Sequence, residues 1–159
     1  MPSASVATAY AAVFSLTLLV VAPPVTGQVG ETARSVVLFV GDGVDDHQLT
    51  IARNYLLGAD GAFVFEAFEH QAAAKVLTVL EADPRVPEYV GDSASGGTAI
   101  AAGVVTSRGR IATRAGTGEP VPTVLELAAA AGKRTGIVTT SSITDATPAS
   151  FVTHISRRF

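Results

Sequence analysis

An apolar stretch and a β-branched stretch each run into a polar loop that carries an aspartate. Residues 35–40 run into a Gly-Asp-Gly turn around Asp42, and residues 135–139 run into a Ser/Thr-rich loop with Asp145. A continuous apolar run bounded by turn residues is typical of a buried, parallel strand. Because ligands bind at the C-terminal edge of such sheets, we expect the aspartates at that edge. A plain Asx turn that caps the next helix is the alternative for Asp42.

Capping and stop signals predict helices between these strands. Alternating strands and helices indicate an α/β layered fold, with a mainly parallel central sheet flanked by helices. The first predicted helix covers residues 46–57, is capped by Asp45 or Asp46 and stops at Gly58, and a strand over residues 72–80 follows it. A helix over residues 93–103 and a helix from a capping box at Thr123 to Gly132 come next, with loops over residues 81–88 and 108–120. The last predicted helix has Thr147 as N-cap and Pro148 as first residue, and it carries His154.

The segment richest in chemical information is DSASGGTA at residues 92–99, where Ser93 follows an aspartate at the start of a predicted helix. Exposed N–H groups and the helix dipole favour an anion there. The position therefore suits a serine that holds and attacks a phosphate, although serine is also an ordinary N-cap residue. Aspartate and threonine oxygens in the neighbouring loops suit Mg²⁺, and a planar guanidinium suits a phosphate.

Three segments, in order and in register, resemble the N-terminal part of an alkaline phosphatase. They are VGDG at residues 40–43, DSAS at residues 92–95 and VTTSSITDATPA at residues 138–149. The resemblance extends over nearly all of residues 34–159, and three motifs in register are more specific than any one alone. It implies an alkaline-phosphatase-like fold, and hydrolysis of small phosphate monoesters through a phosphoserine that water then cleaves.

The resemblance also implies a role for each matched residue. Asp42 would bridge a zinc ion and the magnesium ion, and Ser93 would be the nucleophile, activated on zinc. Asp145 and Thr147 match magnesium-site residues of the family. Arg158 falls at the arginine that clamps the phosphate. The complete enzyme would hold two zinc ions and one magnesium ion.

Counting from His154 places the clamp at Arg158, with Arg157 as the alternative if the helix is shifted by one residue.

The match departs from the family pattern at a few positions. Residues 44–46 are Val-Asp-Asp where a Met-Gly pair is more usual, and residues 96–97 are both glycine. None of these changes touches a matched ligand, so they concern substrate preference or local packing.

The zinc ligands are not apparent in this sequence. Zinc prefers nitrogen or sulfur ligands, but the chain has no cysteine and its three histidines match no zinc ligand of the family. The family supplies those ligands from later sequence, so we interpret the chain as an N-terminal portion that is a very poor phosphatase alone. Two alternatives remain: a truncated product that binds phosphate or a partner without turnover, and a related superfamily hydrolase acting on phosphodiesters or other esters.

Of the three histidines, His47 and His154 are better explained without a metal. His47 belongs to a solvated helix start with two aspartates, and His154 to a structural hydrogen bond. The pattern gives no partner for His70.

The apolar run over residues 9–22 is shorter than the roughly 20 residues of a membrane span. With cleavage before Gln28, it predicts a signal peptide over residues 1–27, a linker over residues 28–34 and the catalytic region over residues 35–159. We therefore expect a secreted or periplasmic protein. No Lys or Arg precedes the run, which leaves an uncleaved membrane anchor as the alternative.

Composition limits the classes of partner that we expect for this chain. The net charge is −3, without a basic cluster, which gives no basis for binding nucleic acid. The chain lacks cysteine and so has no disulfide framework. A mean hydropathy of +0.39 with 16% charged residues is apolar for a small domain, and we attribute part of the excess to the N-terminal segment and part to surface that other polypeptide covers. A homodimer is left open.

Overall fold

The computed structural model describes residues 33–158. The chain divides into two units after Leu38, so that residues 33–38 belong to the first and residues 39–158 to the second. In chain order the second unit contains α1 (Asp46–Leu57), a 3-10 helix (Val64–Ala67), β1 (Thr78–Val79), β2 (Pro87–Glu88), α2 (Ser93–Ala102), α3 (Val124–Ala130) and α4 (Ala146–Ala149).

The structure bears on membrane spanning but not on the predicted export signal. Among residues 33–158, none of the helices combines the length and the apolar character of a membrane span. The predicted signal peptide over residues 1–27, and nearly all of the predicted linker over residues 28–34, lie outside the described residues.

The ends of the longer helices follow local signals in the sequence. α1 begins after Asp45, whose carboxylate accepts two backbone N–H bonds from the first turn, and ends at Gly58. α3 begins after Thr123, whose hydroxyl accepts from the Glu126 N–H at 3.2 Å while the Glu126 carboxylate accepts from the Thr123 N–H at 2.8 Å. Such caps bind N–H groups that have no partner inside the helix. The predicted bounds of α1 and the predicted capping box are confirmed.

The predicted parallel sheet does not form within residues 33–158. The one sheet there joins β1 and β2, which are antiparallel, and the predicted strand over residues 72–80 is reduced to β1. Residues 35–40 and 135–139 are unpaired, and the predicted burial of the first segment is wrong because Phe39 is 90% exposed. A strand is stabilised by hydrogen bonds and side-chain contacts to a neighbouring strand, and neither segment has one among the described residues.

The last helix also differs from its prediction. α4 has Asp145 as its N-cap, so Thr147 and Pro148 lie inside the helix rather than at its start. Proline is tolerated there because N–H groups in the first turn have no partner inside the helix. The helix is one turn long, and His154 lies beyond it.

The core is built from small side chains where α2 packs against α4. Gly97 lies at their closest approach, because a Cβ atom there would be 2.7 Å from Ser150 Oγ and 3.1 Å from Ser150 Cβ. At Gly96, one residue earlier, an added Cβ would meet nothing within 4 Å. The buried apolar cluster around this contact consists of Ala94, Ile111, Ala146 and Ala149.

Buried threonine hydroxyls hold the loop between α2 and α3. Thr98 Oγ1 donates to the Arg110 carbonyl oxygen at 3.1 Å and accepts from the Ala112 N–H at 2.9 Å. Thr106 and Thr78 are also fully buried, and each donates to a backbone carbonyl oxygen. Within residues 33–158, no buried side-chain nitrogen or oxygen lacks a hydrogen-bond partner. Because an unpaired buried polar group is costly, these bonds fix the loop in one conformation.

An ion pair between Glu81 and Arg110 anchors the same loop. The Arg110 side chain is 9% exposed, and its Nε donates to Glu81 Oε2 at 2.6 Å. Ser107 Oγ and the Gly116 N–H also donate to this carboxylate. Hydrogen bonding to Arg110, opposed by partial burial and aided by Ser107, lowers the pKa of Glu81 to about 2.

We predict opposite effects on stability for two adjacent glycines in α2. Gly97→Ala should lower the free energy of unfolding by about 1–3 kcal/mol, because the added methyl group collides with Ser150. Gly96→Ala should raise it by about 1 kcal/mol, because that position is open and alanine favours a helix. Urea denaturation followed by circular dichroism measures both changes. Equal effects of the two variants would contradict the close contact at Gly97.

We predict that the Glu81–Arg110 pair makes stability depend on acid pH. The pKa of Glu81 is below its ordinary value, so its contribution is complete above about pH 4.5 and is lost as the pH falls towards about 2. The carboxylate is 52% exposed, so we expect about 1 kcal/mol after solvent screening. Glu81→Gln should remove this amount at pH 7 and nothing near pH 2. Glu69→Gln, at an exposed position, is the matched control.

Candidate active site

Ser93 is the first residue of α2, and its position is set by the residue before it. Asp92 is the N-cap, and its Oδ1 accepts from the Ser95 N–H at 3.0 Å and from the Ser95 hydroxyl at 2.9 Å. This cap uses the N–H of the third helical residue, and the helix dipole still points its positive end at the start of α2. Ser93 is therefore a half-buried hydroxyl at an electropositive helix end.

Arg158 reaches Ser93 from the far end of the sequence. Its Nη1 donates to Ser93 Oγ at 2.7 Å and lies 3.8 Å from Asp92 Oδ2. The backbone N–H of Arg158 donates to the Gly109 carbonyl oxygen at 2.8 Å. Of the two neighbouring arginines named by the sequence, Arg158 is the one that contacts Ser93, and Arg157 is exposed.

The Asp92 carboxylate is ionised and strongly bonded. Its Oδ2 accepts from the Gly109 N–H at 3.0 Å, in addition to the cap bonds through Oδ1. Burial raises the pKa of Asp92, but the hydrogen bonds from Ser95 and Gly109 and the charge of Arg158 outweigh burial, so the pKa lies below its usual value. Asp92 thus holds a fixed negative charge that fits the cation of Arg158.

Asp42 and Thr147 form a second pair beside Ser93. Thr147 Oγ1 donates to Asp42 Oδ2 at 2.7 Å, although the two residues are 105 positions apart. Both residues and Ser93 line one cleft with a volume of about 340 Å³, whose wall also includes Gly41, Gly43 and Gly96. The cleft therefore brings the Ser93 hydroxyl, which Arg158 contacts, to the same cavity as the Asp42 carboxylate and the Thr147 hydroxyl.

Asp145 is not among the residues that line this cleft. Asp145 is the N-cap residue of α4, but its side chain makes no hydrogen bond to the helix. Its Oδ2 instead accepts from the Ser142 N–H at 3.2 Å. Of the five site residues that the sequence names, Ser93, Asp42 and Thr147 line the cleft, and Arg158 joins them through its hydrogen bond to Ser93. Asp145 is exposed and lies two residues before Thr147.

The donors present fit magnesium in part and zinc poorly. Asp42 and Thr147 offer a carboxylate and a hydroxyl oxygen, which are donors that Mg²⁺ accepts. Among residues 33–158, no group of three or more His, Cys, Asp or Glu side chains is arranged to hold a metal ion. Zinc needs nitrogen, sulfur or several carboxylate ligands, so the described residues do not form a zinc site.

The histidines do not supply the missing nitrogen ligands. His154 Nδ1 donates to the Ala112 carbonyl oxygen at 2.8 Å, and its Nε2 lies 2.8 Å from Glu126 Oε1. The hydrogen bond to Ala112, opposed by burial and aided by Glu126, raises the pKa of His154. His47 is 91% exposed beside Asp45, as expected for a solvated helix start. The structural role predicted for His154 is confirmed.

Sequence reasoning missed the contribution of Gly109. Its backbone N–H and carbonyl connect Asp92 to Arg158, and no side chain marks that role. The available signal was the glycine-rich composition of the predicted loop over residues 108–120, which indicates positive φ angles without indicating the partner.

Taken together, the fold and the site define a protein in which an anion can meet a serine hydroxyl at a helix N-terminus, next to oxygen donors for a cation. A family model described as alkaline phosphatase matches residues 33–159. The chain belongs to the alkaline phosphatase family, which confirms the resemblance found in the sequence.

Individual relatives agree with this membership. The chain is 44% identical over 126 residues to streptomycin-6-phosphate phosphatase of Streptomyces griseus, covering 79% of this chain and 28% of that protein. It is 38% identical over 126 residues to the alkaline phosphatase of Escherichia coli strain K12, covering 79% of this chain and 26% of that protein. The chain thus spans about a quarter of the length of these curated relatives.

Solved structures are similar over the same portion. A mutant of the alkaline phosphatase from the Antarctic bacterium TAB5, with Mg bound, matches with a TM-score of 0.56 and 34% identity, covering 69% of this chain and 29% of that one. A cold-active alkaline phosphatase from Shewanella sp. matches with a TM-score of 0.56 and 28% identity, covering 75% and 29%. The described residues therefore have an alkaline-phosphatase-like fold.

We predict that His154 makes stability depend on pH near neutrality. Its pKa is raised above the ordinary 6.5, so the stabilisation is complete below pH 6.5 and is lost as the pH rises through the raised value. We expect about 1 kcal/mol for this partly exposed pair with Glu126. Denaturation curves from pH 5 to 9 should show the loss in the unmodified protein and not in His154→Gln. His70→Gln is the control at an exposed position, and a loss unchanged in His154→Gln would refute the assignment.

Proposed function

We propose that this protein contributes the nucleophile and the phosphate clamp of an enzyme that hydrolyses phosphate monoesters. The observation that carries the proposal is the 2.7 Å hydrogen bond from Arg158 Nη1 to Ser93 Oγ at the first residue of α2. Membership of the alkaline phosphatase family supports phosphate monoesters as the substrate class.

In the proposed reaction Ser93 Oγ attacks phosphorus, the Oγ–P bond forms, and the bond from phosphorus to the alcohol oxygen breaks. The alcohol leaves with the proton that Ser93 Oγ gives up. Water then attacks the phosphoserine, the Oγ–P bond breaks, a proton of the water returns to Ser93 Oγ, and inorganic phosphate leaves. Arg158 binds two non-bridging oxygens during both steps, because a guanidinium can donate two parallel hydrogen bonds. The N-terminus of α2 adds a favourable dipole for the same oxygens.

Ser93 needs activation, because a neutral serine hydroxyl is a weak nucleophile. Bound zinc and magnesium would lower the pKa of a coordinated oxygen and neutralise the charge on the phosphate. We assign Asp42, Thr147 and Asp145 to the magnesium site, and Asp42 and Ser93 to a shared zinc site. The complete enzyme would hold two zinc ions and one magnesium ion, with the remaining zinc ligands supplied by polypeptide other than residues 33–158.

The second candidate function is binding of phosphate through Arg158 and the start of α2 without turnover, which the same hydrogen bond and helix start support. Stoichiometric binding of inorganic phosphate without product formation, in buffer containing zinc and magnesium, distinguishes this function from catalysis. A hydrolase of phosphodiesters or other esters is distinguished by the substrate it cleaves.

The substrate is best tested with a small panel. The 44% identity to streptomycin-6-phosphate phosphatase favours including a phosphorylated aminoglycoside beside simple phosphate monoesters and a phosphodiester. For export, we propose a signal peptide over residues 1–27, a linker over residues 28–34, and a secreted or periplasmic catalytic region over residues 35–159.

We predict that the phosphoenzyme forms on Ser93. Protein purified with zinc and magnesium from the cells that produce it is mixed with a ³²P-labelled phosphate monoester and quenched in acid, which preserves phosphoserine. Label should appear in the peptide that contains Ser93, and Ser93→Ala should reduce it at least about 10³-fold, since the nucleophile is lost.

Ser95→Ala is the matched control, because it removes a neighbouring serine hydroxyl on the same helix and keeps the Ser95 N–H bond to Asp92 that caps α2. This variant should keep its label. Label that persists in Ser93→Ala, or that disappears only in Ser95→Ala, would contradict the assigned nucleophile.

A further inference from the structure

Gly109 connects the two parts of the site through its backbone. Its N–H donates to Asp92 Oδ2 at 3.0 Å, and its carbonyl oxygen accepts from the Arg158 N–H at 2.8 Å. The Arg158 side chain returns to Ser93 Oγ at 2.7 Å, and Ser93 follows Asp92 in the chain. These four residues therefore form a closed ring of covalent and hydrogen bonds.

The ring requires a backbone conformation that favours glycine. Gly109 has a φ angle of +80°, which side chains with a Cβ rarely adopt. A Cβ atom at this position would lie 3.9 Å from Arg157 Cγ and 4.0 Å from Arg158 Cγ, which is ordinary contact. A substitution therefore acts through the backbone angle, and so on the two hydrogen bonds, rather than by collision with the arginines.

We propose that Gly109 is a positioning residue that fixes the guanidinium of Arg158 beside the hydroxyl of Ser93. The Gly109 carbonyl oxygen holds the backbone of Arg158, and the Gly109 N–H ties that point to the carboxylate that caps α2. Asp92 thereby sets the start of the helix and the origin of the arginine side chain together. The inference rests on the proposed function in taking Arg158 as the group that meets the phosphate.

The test measures the accessibility of Arg158 directly in the full chain. Phenylglyoxal modifies arginine side chains, and mass spectrometry of peptides gives separate rates for Arg158 and for the exposed Arg157 beside it. Gly109→Ala should raise the rate at Arg158 about fivefold relative to Arg157, since the cost of a positive φ is relieved by movement of the loop. Gly109→Val should raise it further, and Gly109→Asn less, because asparagine tolerates this conformation.

The matched control is Gly103→Ala. Gly103 ends α2 with a φ angle of +67°, and a Cβ there would meet nothing within 4 Å. This variant carries the same kind of backbone strain without a bond to Arg158. It should lower the thermal midpoint as much as Gly109→Ala and leave the ratio of the two arginine rates unchanged.

Two results would overturn the inference. One is an unchanged ratio in Gly109→Val when thermal unfolding shows that the variant is folded. The other is an equal rise in Gly103→Ala, which would mark a general loss of stability. Inorganic phosphate tests the proposed function separately. If it fails to slow modification of Arg158 in the unmodified chain while the Gly109 series still changes the ratio, the positioning role stands and the phosphate clamp does not.

Discussion

The hydrogen bonds of a single carboxylate hold the site together. Asp92 uses one oxygen to begin α2 and the other to hold the Gly109 N–H, so the helix and the loop that follows it meet at one residue. Each bond to an ionised acceptor is stronger than a neutral one. Ser93 receives its place from the first bond, and Arg158 receives its place from the second through Gly109. A change at Asp92 would therefore move both Ser93 and Arg158.

The second constraint is the close contact of α2 with α4. Gly97 permits that contact, and α4 carries Thr147, whose hydroxyl bonds to Asp42. Glycine in a helix costs about 1 kcal/mol relative to alanine, so α2 gives up intrinsic helix stability for proximity. The result is that Ser93 and the Asp42–Thr147 pair share one cleft. Small side chains here serve the geometry of the site as well as the packing.

How well the sequence predicts a feature depends on how far apart along the chain the interacting residues lie. Caps act over three or four residues, so the start of α1 and the capping box at Thr123 could be predicted and are confirmed. Strands depend on partners far away in the chain, which a local pattern does not identify. The apolar pattern of residues 35–40 predicts a buried strand, but no strand pairs with these residues within residues 33–158. Three motifs in register were enough to identify the family. The bonds of Gly109 were out of reach, because a backbone contact leaves no mark on residue type.

The charges around Ser93 explain why Arg158 alone does not balance the charge of a phosphate substrate in the proposed reaction. Asp42 and Asp92 each contribute a negative charge, and Arg158 contributes one positive charge that Asp92 already attracts. A phosphate monoester brings up to two further negative charges, and like charges a few ångströms apart repel each other. A cation beside Asp42 would therefore favour the close approach of an anion to Ser93. The carboxylate and hydroxyl oxygens of Asp42 and Thr147 suit such a cation, so the charge balance and the donor chemistry both support the proposed metal-dependent reaction.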